Sequence, residues 1–341
     1  MKHTQIHCGK RFLKSRFFLS VLLCYTLFLS GCNGLSISNT EDDKLTVVTT
    51  LFPYYDFIRQ VAGDNINLIM MLPAGMDTHS FEPTPSDMVT LQNADLFIYN
   101  GGELEAWVDS VMASIDTTEL TIFNMLDYLE SDPNTSHLLL DVEEQEEHHH
   151  EHDEHNIGKS NEVDEHIWTS PVIAQTMVST IGKVLSLEDP EHEAEYGLNA
   201  ENYIAQLEEL DEQFRQVVAD SPLSIMVFGD KFPFRYFTET YGLNYYAAFT
   251  SCSSEVEPGA ATLSLLIDTV KEKKLPVVYY MELSSQKVAD TICEETGATK
   301  LLFHSCHNVT AEELESGVTY LSIMQQNLEN LKIGLLYKEQ N

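Results

Sequence analysis

From Leu45 onward, short and continuously apolar runs alternate with helical patterns, and this alternation limits the possible folds more than any other feature. Leu45-Thr46-Val47-Val48-Thr49-Thr50 reads as a buried strand, 54–62 as a helix behind Pro53, 66–71 as a second strand and Leu96-Phe97-Ile98-Tyr99 as a third, before a helix through Trp107 and Val108. Strands that are apolar throughout have both faces covered, as in parallel α/β sheets. The pattern restarts after residue 221, with strands at 224–228, Pro276-Val277-Val278-Tyr279-Tyr280 and 300–304. Helices are expected at 232–241, at 284–296 with Gly297 to stop it, and at 311–331.

Between the two series lies 190–219, a long stretch with few helix breakers. Leu207, Leu210, Phe214, Val217 and Val218 put one apolar stripe on a helix whose other faces carry Glu and Gln. The expected fold is therefore α/β, with two lobes of mostly parallel sheet flanked by helices and joined by one long rigid helix. The lobes span 45–188 and 221–341, with 189–220 as the link.

The N-terminus sets the compartment. Lys2, Lys10, Arg11, Lys14 and Arg16 come without an acid and precede an apolar run over 17–29. That run is short of the about 20 residues a membrane span needs, but it suits the core of a signal peptide. Leu29-Ser30-Gly31-Cys32 resembles a bacterial lipobox, which implies cleavage of 1–31 and acylation of Cys32. Residues 32–44 read as a polar tether, placing the protein outside the cytoplasm on the outer face of the cell membrane. The net charge is −35, and loss of the signal makes it more negative still. Such a chain repels nucleic acid and anionic headgroups and concentrates cations, leaving the acyl chains as its hold on the membrane.

One segment resists folding. Residues 141–163 are mostly Glu, Asp and His, too polar to offset the entropy of ordering, and read as a disordered insertion in the first lobe. It holds His148, His149, His150, His152 and His155 interleaved with carboxylates, a flexible set of weak ligands for borderline metals. Two loops add candidate histidines. Pro73-Ala74-Gly75-Met76-Asp77-Thr78-His79-Ser80-Phe81-Glu82-Pro83 follows an expected strand, at the carboxyl edge where α/β sheets bind ligands. Asp164-Glu165-His166-Ile167-Trp168 precedes a helix.

These motifs carry a resemblance. With Thr50-Leu51-Phe52-Pro53-Tyr54, they are similar to the cluster A-I solute-binding proteins of zinc and manganese ABC importers, from Leu45 to the C-terminus. The resemblance implies His79 and His166 as the first two metal ligands. Its third ligand, counted back from Tyr236-Phe237, falls on Lys231, a poor ligand while protonated. The adjacent Asp230 can take over, or can be a helix N-cap. The fourth ligand, usually an acid, falls on His304 in Phe303-His304-Ser305-Cys306-His307-Asn308, with His307 next in order and Cys306 a third option if reduced. The expected site is thus His79, His166, Asp230 and His304. A Cys252–Cys306 disulfide is also expected, because both residues sit on second-lobe loops near the cleft. Cys293 is read as a buried thiol.

An imidazole-rich set suits Zn2+, whereas Mn2+, the alternative cargo with iron, prefers more oxygen. The implied role is capture in an interlobe cleft and delivery to an ABC permease, by a monomer that is not an enzyme. A zinc hydrolase would need a general base beside the metal, and only Glu82 lies near in sequence. A surface adhesin would leave the histidines unexplained.

Overall fold

Two four-stranded sheets, with every paired strand parallel, carry the fold in a computed structural model that describes residues 44–141, 163–249 and 258–338. The signal peptide and Cys32, the histidines of the acidic insertion, and Cys252 lie outside the described residues. The first sheet uses β1 (Thr46–Thr49), β2 (Asn67–Met70), β3 (Leu96–Tyr99) and β4 (Thr121–Asn124) in the order β2-β1-β3-β4. Between its strands run α1 (Phe52–Ala62), α2 (Pro85–Gln92) and α3 (Trp107–Met112), and α4 (Met125–Ser131) follows. Then come α5 (Pro171–Glu188) and the 28-residue α6 (Glu193–Asp220).

The second sheet repeats the plan. It contains β5 (Ile225–Phe228), β6 (Asn244–Ala247), β7 (Val277–Tyr280) and β8 (Thr299–Leu302) in the order β6-β5-β7-β8. Its helices are α7 (Arg235–Tyr241), α8 (Ala260–Lys273), α9 (Lys287–Thr296), α10 (Ala311–Glu315) and α11 (Tyr320–Gly334). Each sheet reverses direction of growth between its two middle strands, β1 and β3 or β5 and β7, which opens a crevice at their carboxyl ends.

Strand side chains explain the layering. Val47, Leu96 and Ile98 face a large core, while Val48 and Phe97 face a second cluster under α2 and α3. In the other lobe Met226, Phe228, Val277 and Tyr279 point into that same large core, and Val227 and Val278 point to a third cluster under α8 and α9. Burial on both faces is why these strands are apolar at nearly every position, the exceptions being Thr46 and Thr49 of β1. The stripe on α6 is buried at Leu207, Leu210, Phe214 and Val217, inside the large core that both lobes share.

Candidate metal site

The loops at the carboxyl ends of the two sheets meet. Trp168, fully buried between them, donates its indole N–H to the Ser305 carbonyl at 2.8 Å. The Asn308 side chain donates to the carbonyls of Pro73 (2.7 Å) and Met76 (2.9 Å), and Gly75 N donates to the Val309 carbonyl at 2.7 Å. Gly75, at φ 80°, takes a turn that an L side chain would oppose. The loop that carries His79 is thereby fastened to the loop after β8. His79 itself lies in a 3-10 turn, Thr78–Ser80.

His166 lies at the start of another 3-10 turn, Ile167–Thr169. Asp164 Oδ1 takes both its backbone N–H (3.0 Å) and its Nδ1 (2.8 Å). Because a carboxylate only accepts, Nδ1 carries the proton and Nε2 keeps its lone pair. Burial pushes the Asp164 carboxyl up, but the hydrogen bonds and charge of His166, with Arg235 behind, outweigh it and hold it below the usual aspartate range. Neighbouring Glu165 is pushed up by burial. Glu105, beside Gly101 at the end of β3, is pushed up to about 7 by burial, although Gly101 N donates to its Oε2 at 2.7 Å.

His307 faces His166 from the other lobe. Their ring centroids are 5.0 Å apart and the rings are nearly perpendicular, with the Trp168 ring against both. Nδ1 of His307 lies 2.5 Å from Ser305 Oγ, which also hydrogen-bonds to Glu282. His304 is held differently. Its Nδ1 accepts the Cys306 N–H at 2.9 Å and stands 3.5 Å from Glu282 Oε2. A neutral His304 then carries its proton on Nε2, a buried atom with no hydrogen-bond partner among the described residues. To ligate a metal through Nε2 it would have to give up the Cys306 amide.

Asp230 sits at the switch point of the second sheet, just past β5. Its Oδ1 accepts from Lys231 N at 2.9 Å and its Oδ2 from Met281 N at 3.1 Å, across to the end of β7. Both oxygens are thus engaged by backbone, in a loop anchor rather than the N-cap of α7, which begins at Arg235. Cys306 is fully buried and has no disulfide partner among the described residues, its thiol is pushed well up by burial, and its expected partner Cys252 lies outside the described residues. Cys293 is a half-buried free thiol.

Among the described residues no three His, Cys, Asp or Glu side chains converge as a metal cage. What they bring together is the His166–His307 pair. Sequence reasoning missed Glu282, although its place at the end of an expected strand is the signal that singled out the His79 loop.

Two parallel-sheet lobes, with buried imidazoles where their loops meet, define the class of metal-capturing solute-binding proteins. The chain belongs to the family described as ZnuA, zinc-uptake complex component A, periplasmic, whose model matches residues 47–334. It is accordingly an extracytoplasmic transport component and not an enzyme. It is 33% identical over 323 residues to the high-affinity zinc uptake system protein ZnuA of Bacillus subtilis, covering 94% of this chain and 98% of that one. It is 33% identical over 311 residues to the zinc-binding lipoprotein AdcA of Streptococcus pneumoniae, covering 91% of this chain but only 59% of that longer protein. The crystal structure of the Zn(II)-bound ZnuA-like domain of S. pneumoniae AdcA superposes with a TM-score of 0.68 at 29% identity, over 86% of this chain and 99% of that one.

Proposed function

We propose that this protein captures Zn2+ where the two lobes meet, with His79, His166 and His307 as ligands, and hands it to an ABC permease. The observation that carries the reading is the His166–His307 pair, 5.0 Å apart across the lobe boundary. Each ring has its Nδ1 engaged, by Asp164 or by Ser305, so that the metal-binding lone pair is the one on Nε2. His79 joins them because Asn308, next to His307, fastens its loop. Of the other expected ligands, Asp230 holds the ends of β5 and β7 together, and His304 braces the turn that presents His307. Three imidazoles favour zinc over manganese. The zinc-uptake names of the relatives point the same way.

A chelator-competition titration tests the site on protein made without a His-tag. Substituting His79, His166 or His307 with Ala is expected to weaken zinc binding at least about tenfold, since each removes a bond to the ion. Parent-like binding in the His166→Ala and His307→Ala proteins would overturn the assignment. In the same titration, deleting residues 143–155 should remove only weak extra equivalents. Ordering a segment so poor in apolar residues around an ion would cost conformational entropy, whereas the folded loops have already been ordered.

The reading includes a monomer anchored through acyl chains on Cys32, in keeping with the lipoprotein name of the pneumococcal relative. Cys32→Ala should move the protein from the membrane fraction to the soluble fraction. Continued membrane association would argue against the lipid anchor.

A further inference from the structure

Building on the assignment of His307 as a zinc ligand, we propose that Glu282 and Ser305 are positioning residues that hold His307 in the one neutral tautomer able to bind the ion. The geometry is a relay of hydrogen bonds. Ser305 N donates to Glu282 Oε2 at 2.8 Å, Ser305 Oγ hydrogen-bonds to Glu282 Oε1, and the same Oγ lies 2.5 Å from His307 Nδ1. A carboxylate has no proton to give, so the single hydroxyl proton of Ser305 goes to Glu282. The hydroxyl oxygen then presents a lone pair to His307, and Nδ1 must be the donor. The imidazole proton is fixed on Nδ1, and Nε2 keeps the lone pair that a metal needs.

The relay is held in place from several sides. Ser305 is 1% exposed, and its carbonyl accepts the Trp168 indole N–H. The Glu282 side chain is 8% exposed and stands at the end of β7. The next residue, Leu283, is at φ 55°, a conformation a leucine seldom adopts and one that sets the direction in which the chain leaves Glu282. His166 receives the same treatment from Asp164 in one step. The two lobes thus prepare their facing histidines alike, one through a carboxylate and one through a carboxylate and a hydroxyl.

Glu282→Gln separates this role from a merely structural one. Ser305 N–H needs an acceptor, so the oxygen of the introduced amide turns to it and the NH2 group faces Ser305 Oγ. With one lone pair of Oγ taken by that NH2 group and the other by the His307 backbone N–H at 3.4 Å, the hydroxyl donates to His307 Nδ1, which reverses the relay and moves the imidazole proton to Nε2. Long-range 1H–15N spectra of the zinc-free protein should show His307 protonated on Nδ1 in the parent and on Nε2 in E282Q. Zinc affinity by chelator competition should fall roughly ten- to a hundredfold, the usual effect of removing an outer partner of a metal-binding histidine. Ser305→Ala, read in the same two ways, should leave His307 in a mixture of tautomers with weakened zinc binding, and it carries the test if E282Q does not fold. An unchanged tautomer, or parent-like affinity, would overturn the relay. His307→Ala, titrated alongside, distinguishes the failures. If it binds zinc like the parent, the ligand assignment falls, whereas if it loses zinc while E282Q and S305A do not, only the relay falls.

Discussion

Glu105 illustrates how burial at the edge of a sheet sets the chemistry of one residue. It is 3% exposed, and its carboxyl is pushed up to about 7 from an ordinary 4.5. A raised carboxyl favours the fold while protonated. That contribution is complete below pH 4.5 and is lost as the pH rises to about 7. Glu105→Gln, which cannot ionise, should therefore gain stability over the parent as the pH is raised. The gain at pH 8 should exceed that at pH 5 by on the order of 3 kcal/mol, measured by urea unfolding in the presence of a chelator. Equal differences at the two pH values would mean that the site is wetter than its burial indicates. At this scale, a Pro/Gly-framed loop and the His-x-Trp element are what make His79 and His166 candidates in the sequence. The turn after β8 was harder to read. Cys306 takes a left-handed φ of 64°, which no sequence rule suggests for cysteine, and this reversal is why His304 and His307 have different surroundings.

Elements were easiest to read where burial on both faces left few polar positions. β1, β3, β5 and β7 fall inside the expected strands, and all four are central. The edge strands β4 and β6 are half-exposed and mixed in character, so Thr121–Asn124 and Asn244–Ala247 carry no continuous apolar run to reveal them. The helix expected over 311–331 is two helices, broken near Gly317 at φ 77°, with Thr319 capping the second. Packing between elements is tight just ahead of Asp230. A Cβ on Gly229 would stand 2.5 Å from the Ala289 Cα in α9. Gly229→Ala should accordingly force β5 and α9 apart and destabilise the protein by about 1–3 kcal/mol. A urea midpoint equal to the parent's would show that α9 moves aside freely.

The whole molecule is joined more firmly than a pair of lobes on a strut. Asp56 in α1, fully buried, accepts from Arg59 and Gln60 beside it, from the Tyr203 hydroxyl in α6 and from the Tyr320 amide at the start of α11. Arg59 also reaches the Val318 carbonyl, so one carboxylate ties the first lobe, the long helix and the second lobe together. The large core runs through the same three parts without a gap. Such continuity makes the chain a single cooperative unit. Calorimetry of the zinc-free protein should show one endotherm, with calorimetric and van't Hoff enthalpies in agreement, and added zinc should move that endotherm upward as a whole. Two resolved endotherms would show that the lobes unfold independently. The unbroken core also bears on how the ion is surrendered. Swinging the lobes apart would tear apolar surface out of contact and expose it to water, a far larger disturbance than shifting a loop. The clasp of Asn308 on Pro73 and Met76, with Gly75 N on the Val309 carbonyl, rests instead on hydrogen bonds between two loops, and parting it would expose far less apolar surface than parting the lobes.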